Sequence, residues 1–303
     1  MKRLTPLLTS LVFVFACTPS DEEDGETNAD DVGDTGDADT GDGDGDTGDG
    51  DGDTTTDTGT EPVATITGTV LGMDGEPLPS PGIQWCGPID EEGNVDLCIP
   101  VTVGDGGTFE IGSPNPGLWN FKAVHGPADG RFFTGQAVQI VVVEGEDQDW
   151  ADPIVVPEVG ALSAVVEGEQ LVDIDGTLGI TLDPANALTP DFTPPTELGG
   201  LEVSSEFWEV TEIDGSPVLA AWSFSPFGVK ASTGSFGITI ENAGGLNPAL
   251  EADAMVVLYE IKKDNAEIHE VGVGTVNADA TAIDVVASGE GLHELTWLMI
   301  VAQ

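Results

Sequence analysis

Residues 64–70 read Ala64-Thr65-Ile66-Thr67-Gly68-Thr69-Val70, so apolar or small positions alternate with threonine. Successive side chains of a strand point to opposite faces, and this period of two is therefore typical of a half-buried β-strand. The next residues, 73–77, have the Asp-Gly-Glu-Pro composition of a turn. The stretch predicts a strand that ends in a tight turn.

The same combination of short alternating runs and Gly or Pro breaks continues along the chain, without long helical periodicity. Further strands are predicted at Gly107–Ile111, Leu118–Val124, Val138–Val143, Phe236–Ile240 and Met255–Ile261. Short strands at close spacing indicate sandwiches rather than parallel sheets. We expect an all-β protein with two β-sandwich domains, at residues 62–158 and 159–303, after a disordered acidic tether.

The amino terminus has the pattern of an export signal. Lys2 and Arg3 precede an apolar run, 4–16, that suits a signal peptide and is short for a bilayer span. The run ends in Val14-Phe15-Ala16-Cys17, which resembles the lipobox of bacterial lipoproteins, although Phe15 is larger than the commonest residue there. The resemblance implies cleavage after residue 16 and a lipid on the Cys17 thiol. An ordinary signal peptide with a chance cysteine is the alternative.

The residue after the lipidated cysteine bears on localisation. Thr18 stands where an Asp favours inner-membrane retention in Gram-negative lipoproteins. We therefore expect a protein anchored through lipid to the bacterial outer membrane or cell surface. The pattern leaves open whether the folded part faces the exterior or the periplasm.

Cysteine usage agrees with export. If Cys17 carries lipid, Cys86 and Cys98 remain as an even pair, which an oxidising compartment should join in a disulfide. Neither is accompanied by a second Cys or His pair at zinc-binding spacing, so we expect no metal site there.

Residues 17–61 are rich in Asp, Gly and Thr and contain no Lys or Arg. Such a segment cannot bury enough apolar surface to offset chain entropy, so it predicts a disordered tether with diffuse cation binding. Residues 49–60 begin like a calcium-binding EF-hand loop, but Thr54 and Thr60 replace the required Gly and Glu. Residues 57–60 match the Asp-Thr-Gly-Thr signature of aspartic proteases, without the apolar strands that such a site needs.

The charge balance excludes one class of partner. The chain has 56 acidic and seven basic residues, a net charge of −49. Such a surface repels phosphate backbones, so we expect no nucleic-acid binding.

Two resemblances concern the folded part. Gly68–Val70, Asp74–Leu78, Gly107–Ile111 and Pro116–Trp119 resemble the motifs of the carboxypeptidase regulatory-like (transthyretin-like) domain, with Trp119 in place of the usual Tyr. That family implies a prealbumin-like sandwich, without catalytic residues, that serves as an accessory or binding module of exported proteins.

The second half carries a different set of short motifs, which resembles the ZU5/UPA-type β-modules of large bacterial surface proteins. They stand at 225–228, 240–242, 245–248 and 271–276, and Ala249 and Ala280 depart from the expected glycines. The resemblance implies a surface or structural module and supplies no active site.

Catalytic motifs are missing from the sequence, and His125, His269 and His293 are far apart along it. We therefore expect no enzyme activity and no cofactor, and a lipid-anchored envelope protein for adhesion, scaffolding or ligand display, whose partner is an envelope or extracellular protein or glycan. A carbohydrate-binding accessory lipoprotein is the first alternative, and an exposed tryptophan cluster would favour it. An enzyme with an unrecognised site is the second. The six tryptophans are Trp85, Trp119, Trp150, Trp208, Trp222 and Trp297.

Overall fold

The computed structural model describes residues 61–242, 246 and 249–303, and these residues belong to one compact unit. This part is all β, as predicted, and its sheets form sandwich-like layers. The predicted signal peptide, and the tether to Thr60, lie outside the described residues. Among the described residues, no helix combines the length and the apolar character needed to cross a membrane.

The first half contains ten strands: β1 (Ala64–Gly72), β2 (Gly82–Ile89), β3 (Val95–Val101), β4 (Thr108–Ser113), β5 (Gly117–Val124), β6 (Phe132–Phe133), β7 (Gly135–Val142), β8 (Gln148–Asp149), β9 (Ile154–Val156) and β10 (Glu158–Val159). One sheet has the order β4-β1-β8, with β9 also on β1, and the other has the order β3-β2-β5-β7. The two sheets face each other across a core in which Trp85 and Trp119 stack at 5.2 Å.

The second half continues with strands β11 (Ser163–Ala164), β12 (Gln170–Ile174), β13 (Leu178–Leu182), β14 (Ala187–Leu188), β15 (Glu197–Glu202), β16 (Glu212–Ile213), β17 (Ser216–Ser225), β18 (Val229–Ala231), β19 (Gly237–Glu241), β20 (Met255–Ile261), β21 (Ile268–Val276), β22 (Ala282–Ala287), β23 (Glu294–Leu295) and β24 (Trp297–Ala302). Short 3-10 turns lie at Asp105–Gly107, Pro184–Asn186 and Ser205–Phe207.

Most of these strands form one large sheet, in the order β11-β15-β17-β24-β20-β21-β22-β19-β13-β12, with β16 on β17. A smaller sheet has the order β14-β18-β23. Residues from both ends of the large sheet, such as Ile174 and Trp222, belong to the same buried core, so its inner face encloses that core.

The central strands of the large sheet are buried on both faces. On β20, Val256 and Leu258 belong to the inner core, whereas Val257 and Ile261 belong to a separate cluster on the outer face. That cluster also contains Ala137 from β7 of the first half. The two halves therefore share an apolar interface, which we call the seam.

Strand β10 runs through the position predicted as the boundary between the two domains. It pairs with β6, so Val159 lies opposite Phe132 of the first half. Beside this pair, Arg131 forms hydrogen bonds to both carboxylate oxygens of Glu158, at 2.9 and 2.6 Å, and one to Asp74 at 3.2 Å. The connection between the halves is thus a short paired strand, and the division at 158/159 stays a prediction.

Candidate functional site

Polar groups hold the seam together as well as its apolar cluster. Asn120 on β5 is fully buried, and its Nδ2 donates to the main-chain oxygens of Lys263 and Asp264, at 2.8 and 2.9 Å. The indole N–H of Trp297 donates to the Gly135 oxygen at 2.9 Å. The two Asn120 bonds hold the turn after β20 against the first half, and the Trp297 bond holds β24 against it. Lys263, on that turn, is consequently set in a defined position.

A cluster of opposite charges occupies the polar end of the seam. Lys230 Nζ lies 2.7 Å from Asp264 Oδ2 and 3.6 Å from Glu294 Oε1, and Lys122 Nζ lies 3.9 Å from Asp264 Oδ1. Burial would lower the pKa of Lys230, but its bond to Asp264 and the charge of Glu294 raise it above its ordinary value. Burial lowers the pKa of Lys122 and raises that of Glu294.

Beside this cluster lies a cleft with a volume of about 780 Å³. Its walls come from the loop after β5, from β6, from the loop between β14 and β15, from the connection of β17 to β18, and from the turn after β20. They are mainly apolar, and include Phe132, Phe133, Leu162, Phe227 and several prolines. A concave, mostly apolar surface with a few polar groups is the usual form of a small-ligand site.

Two glycines leave room for side chains that form the cleft wall. A Cβ on Gly135 would lie 2.6 Å from the Phe227 ring, so a larger residue would push that ring out of the wall. Gly228 has φ of 87°, a left-handed conformation that favours glycine, and a Cβ there would collide with the side chain of Lys263. The positions of Phe227 and Lys263 therefore depend on residues that have no side chain.

His125 supplies an unsatisfied polar atom in the wall. Its ring is 8% exposed and stacks on Phe133, with the ring centres 4.4 Å apart. Nδ1 lies 2.5 Å from the Gly126 carbonyl oxygen, to which it donates, and Nε2 has no hydrogen-bond partner among the described residues. Because a buried unpaired polar atom is unfavourable, the imidazole offers a ligand an acceptor.

Lys263 supplies an unsatisfied charge. Of the five basic residues in the described part of the chain, the other four form ion pairs: Lys122 and Lys230 with Asp264, Arg131 with Glu158, and Lys262 with Glu260. Lys263 lines the cleft and forms no ion pair within the described residues. Burial lowers its pKa, while the charge of Asp264 opposes that change. The cleft thus contains a partly desolvated ammonium that has no counter-ion in contact in the part of the chain that the structure describes.

An aromatic side chain stands at the rim. Phe192 is 84% exposed, although its neighbours Asp191 and Thr193 line the cleft. Its φ is 59°, which a bulky residue adopts rarely and at an energetic cost. The main-chain bonds of Thr189 with Phe192 and Thr193, at 2.9 and 2.8 Å, close the turn that presents it. Backbone strain of this kind clusters at functional sites.

The cysteine pair is a disulfide, as the sequence predicted. Cys86 and Cys98 are directly opposed on β2 and β3, with Cα atoms 4.0 Å apart. The bond clamps the edge strand β3 to its neighbour and lies in the first sandwich, where it contributes nothing to the cleft. Cys17, the predicted lipid site, lies outside the described residues.

The histidines and tryptophans are dispersed. His125 lines the cleft, His269 lies on β21 beside Glu267 at 2.7 Å, and His293 directly precedes β23. Trp85, Trp119, Trp222 and Trp297 are buried. Trp150 and Trp208 are half-buried, so none of the six tryptophans is fully exposed. A platform of exposed tryptophans, which would favour the carbohydrate-binding alternative, is therefore not formed by this set.

The comparisons with known proteins give little guidance. No family model matches the sequence, and no curated protein matches it. The Bacillus anthracis TIE protein is similar in structure at 12% identity and a TM-score of 0.24, over 75% of this chain and 44% of that one. This chain thus spans less than half the length of that protein. Likeness at such a TM-score carries no argument about function.

Two further solved structures are similar at the same low level. A DUF3823 family protein from Bacteroides ovatus has 12% identity and a TM-score of 0.21, over 76% of this chain and 84% of that one. A candidate carbohydrate binding protein from Bacteroides uniformis has 9% identity and a TM-score of 0.22, over 80% and 99%. The two family resemblances noted in the sequence stay hypotheses.

Sequence reasoning did not single out the cleft. Phe192 left a weak signal, as the sole aromatic in the loop Pro190-Asp191-Phe192-Thr193-Pro194-Pro195. Lys263 left a second, because basic residues are scarce in this chain. Nothing in the sequence showed that these two residues, from loops far apart in the chain, border one cleft.

Proposed function

We propose that this protein is an exported, lipid-anchored and non-enzymatic envelope protein that displays a ligand-binding β-module for adhesion or ligand capture. The observation that carries the binding role is the cleft beside the seam, whose mainly apolar wall holds the unpaired ammonium of Lys263. The ligand that fits has an apolar body and one acidic group, such as a carboxylate. Its acid would pair with Lys263, and a hydrogen-bond donor would satisfy His125 Nε2.

The negative charge of the protein restricts binding of an acidic ligand to the cleft. The net charge of −49 repels anions at long range, so an acidic ligand is retained only where burial and a direct ion pair act together. Removal of apolar surface from water contributes about 25 cal/mol for each Å², before the costs of association. Phe192 at the rim is placed to extend that apolar contact beyond the cleft.

The other parts of the proposal have different support. The anchor and the envelope location rest on the lipobox resemblance at Cys17 and on the acidic tether that follows it. The disulfide is consistent with an oxidising compartment. The non-catalytic role rests on two resemblances. The first sandwich resembles carboxypeptidase regulatory-like modules, and the second half resembles ZU5/UPA-type modules.

Binding is tested with anilinonaphthalene sulfonate, a fluorescent probe that has an aromatic body and one sulfonate. The soluble Cys17→Ser chain should bind one equivalent, and Lys263→Met should weaken binding about tenfold, the effect of losing ~1.4 kcal/mol. Lys230→Met is the matched control, because it removes the same charge from the neighbouring cluster without altering a residue that lines the cleft. Equal losses in both variants would contradict a specific role for Lys263.

Display is tested separately by fractionation and protease treatment of intact cells. Wild-type protein should fractionate with membranes and be cleaved from outside, whereas Cys17→Ser should be soluble. A Cys17→Ser chain that stays with the membrane would refute the anchor, and protection of the wild type would place the module in the periplasm.

A carbohydrate-binding accessory role is the second candidate. One observation favours it: Trp150 is half-buried beside a concave polar surface in the first sandwich.

A further inference from the structure

The edge of the first sheet is interrupted beside β1. Strands β8 and β9 both run parallel to β1, but β8 pairs with residues 66–67 and β9 with residues 70–72. The chain between them, residues 150–153, leaves the sheet after the Trp150 N–H has bonded to the Thr67 oxygen at 2.9 Å. A window about two residues wide therefore opens beside Gly68 and Thr69.

Aromatic rings form the floor of this window. The Trp150 ring meets Phe109 and Phe121 in edge-to-face contacts, at 5.8 and 5.1 Å, which fix its orientation. A Cβ on Gly68 would lie 2.6 Å from Phe109 and 3.3 Å from Trp150, so the absence of a side chain keeps the rings in place. Phe109 is buried, and Trp150 is therefore the aromatic ring that a ligand can reach.

Hydroxyl and carboxylate groups surround the floor of a depression of about 590 Å³. Four threonines line it: Thr67, Thr69, Thr102 and Thr108. The carboxylates of Glu110 and Asp149 are exposed there, and Thr67 Oγ1 donates to Asp149 Oδ1 at 2.8 Å. The described residues that line the depression include no Lys, Arg or His, which disfavours an anionic ligand.

We propose that this depression is a binding site for a neutral saccharide, with one sugar ring stacked on Trp150. The C–H groups of a sugar ring are slightly positive and match the negative face of an indole. Sugar hydroxyls both donate and accept, and they match a rim that offers carboxylate acceptors together with threonine hydroxyls that do both. A single oriented ring with a polar rim thus fits a polyhydroxylated, uncharged ring.

An organic cation is the nearest alternative ligand, because the rim is acidic. Recognition of a quaternary ammonium normally uses a cage of several aromatic faces. Here the second ring, Phe109, is buried, and the threonine donors would find no acceptor on such a cation. The geometry therefore favours the saccharide.

The inference rests on the second candidate function, for which it names the site and the ligand class, and the site is separate from the cleft beside the seam, since the two share no lining residue. The experiment is titration of the Cys17→Ser chain with cellohexaose, maltohexaose, mannohexaose and choline chloride, followed by calorimetry. At least one hexaose should bind, and Trp150→Ala should weaken its binding about tenfold or more. Phe192→Ala, which removes an aromatic ring at the cleft, should leave hexaose binding unchanged.

Two variants guard against a simple folding defect. Trp150→Phe keeps an aromatic face and should retain most of the affinity, and Thr69→Val keeps the side-chain shape but should lower affinity several-fold by removing a hydroxyl. Absence of binding by every hexaose at millimolar concentration would overturn the inference, as would binding of choline alone or equal affinity in Trp150→Ala. None of these results bears on whether the sulfonate probe binds at Lys263. Failure of this inference is therefore distinguishable from failure of the function proposed for the cleft.

Discussion

Replacing Asn120 with alanine should weaken the seam and the cleft together. The change removes the two bonds from Nδ2 to the Lys263 and Asp264 oxygens, which attach the turn after β20 to strand β5. Asn120 does not itself line the cleft. It acts as a positioning residue for Lys263, so the variant separates the support of the site from direct contact with a ligand.

The magnitude follows from the hydrogen bonds gained and lost. Two neutral hydrogen bonds contribute about 2 kcal/mol together, and their loss leaves main-chain oxygens unsatisfied. Against this, Asn120 Oδ1 is already buried without a hydrogen-bond partner in the described part of the chain, so its removal recovers part of the loss. We expect a net decrease of about 1–2 kcal/mol in the free energy of unfolding, or about 3–6 °C in Tm for a unit of this size.

The assay is urea unfolding of the Cys17→Ser chain, monitored by circular dichroism, together with titration of the sulfonate probe. Gln139→Ala is the control, because the Gln139 bond to the Asn265 oxygen also crosses the seam but is exposed, and its loss should change stability by less than ~0.5 kcal/mol. If Asn120→Ala unfolds like the wild type and binds the probe equally well, the seam does not position Lys263 and the reasoning is wrong.

Three further predictions concern single features. Phe192→Gly should leave the free energy of unfolding unchanged or raise it by up to about 1 kcal/mol, because glycine adopts φ of 59° without strain. The same variant should weaken ligand binding. Urea unfolding measures the first effect and probe titration the second. The double variant Cys86→Ala, Cys98→Ala should lose about 3 kcal/mol of stability, the loop entropy for a separation of 12 residues, and a smaller loss than ~1 kcal/mol would contradict this. Arg131→Met should flatten the acid limb of the stability curve: hydrogen bonds from Arg131 lower the pKa of Glu158, and the Glu76 main-chain N–H, then Arg131, lower that of Asp74. Carboxylates with lowered pKa stabilise the fold above their ordinary pKa values and lose that effect as pH falls through the lowered pKa. The stabilities of wild type and variant should therefore converge in unfolding titrations at pH values below the ordinary 4.5 of Glu158 and 3.8 of Asp74.

The alternating runs predicted strands well, because alternation is a local property of the sequence. Ala64–Val70 and Leu118–Val124 fall within β1 and β5, and Met255–Ile261 is β20. Alternation does not indicate which faces of a strand are covered by other parts of the protein. On β20, Val256 and Leu258 face the core, whereas Val257 and Ile261 face the seam. The period of two did not predict that both faces are buried.

The candidate site was less predictable, because local sequence patterns do not show how distant segments pack. Its parts are a turn that presents Phe192, a lysine left without an ion pair, and glycines whose missing side chains make room for their neighbours. Each of these properties depends on the packing of segments far apart in the chain. By contrast, the Cys86–Cys98 pair was predictable, because an even number of cysteines remains once Cys17 is assigned to lipid.

The most direct test of the central claim is a crystal structure of the Cys17→Ser chain with anilinonaphthalene sulfonate bound. The proposal predicts that the aromatic body lies in the cleft against Phe132 and Phe227 and that the sulfonate is within hydrogen-bond distance of Lys263 Nζ. A probe bound only at other surfaces, with the cleft empty and Lys263 unpaired, would contradict the assignment of this cleft as the ligand-binding site.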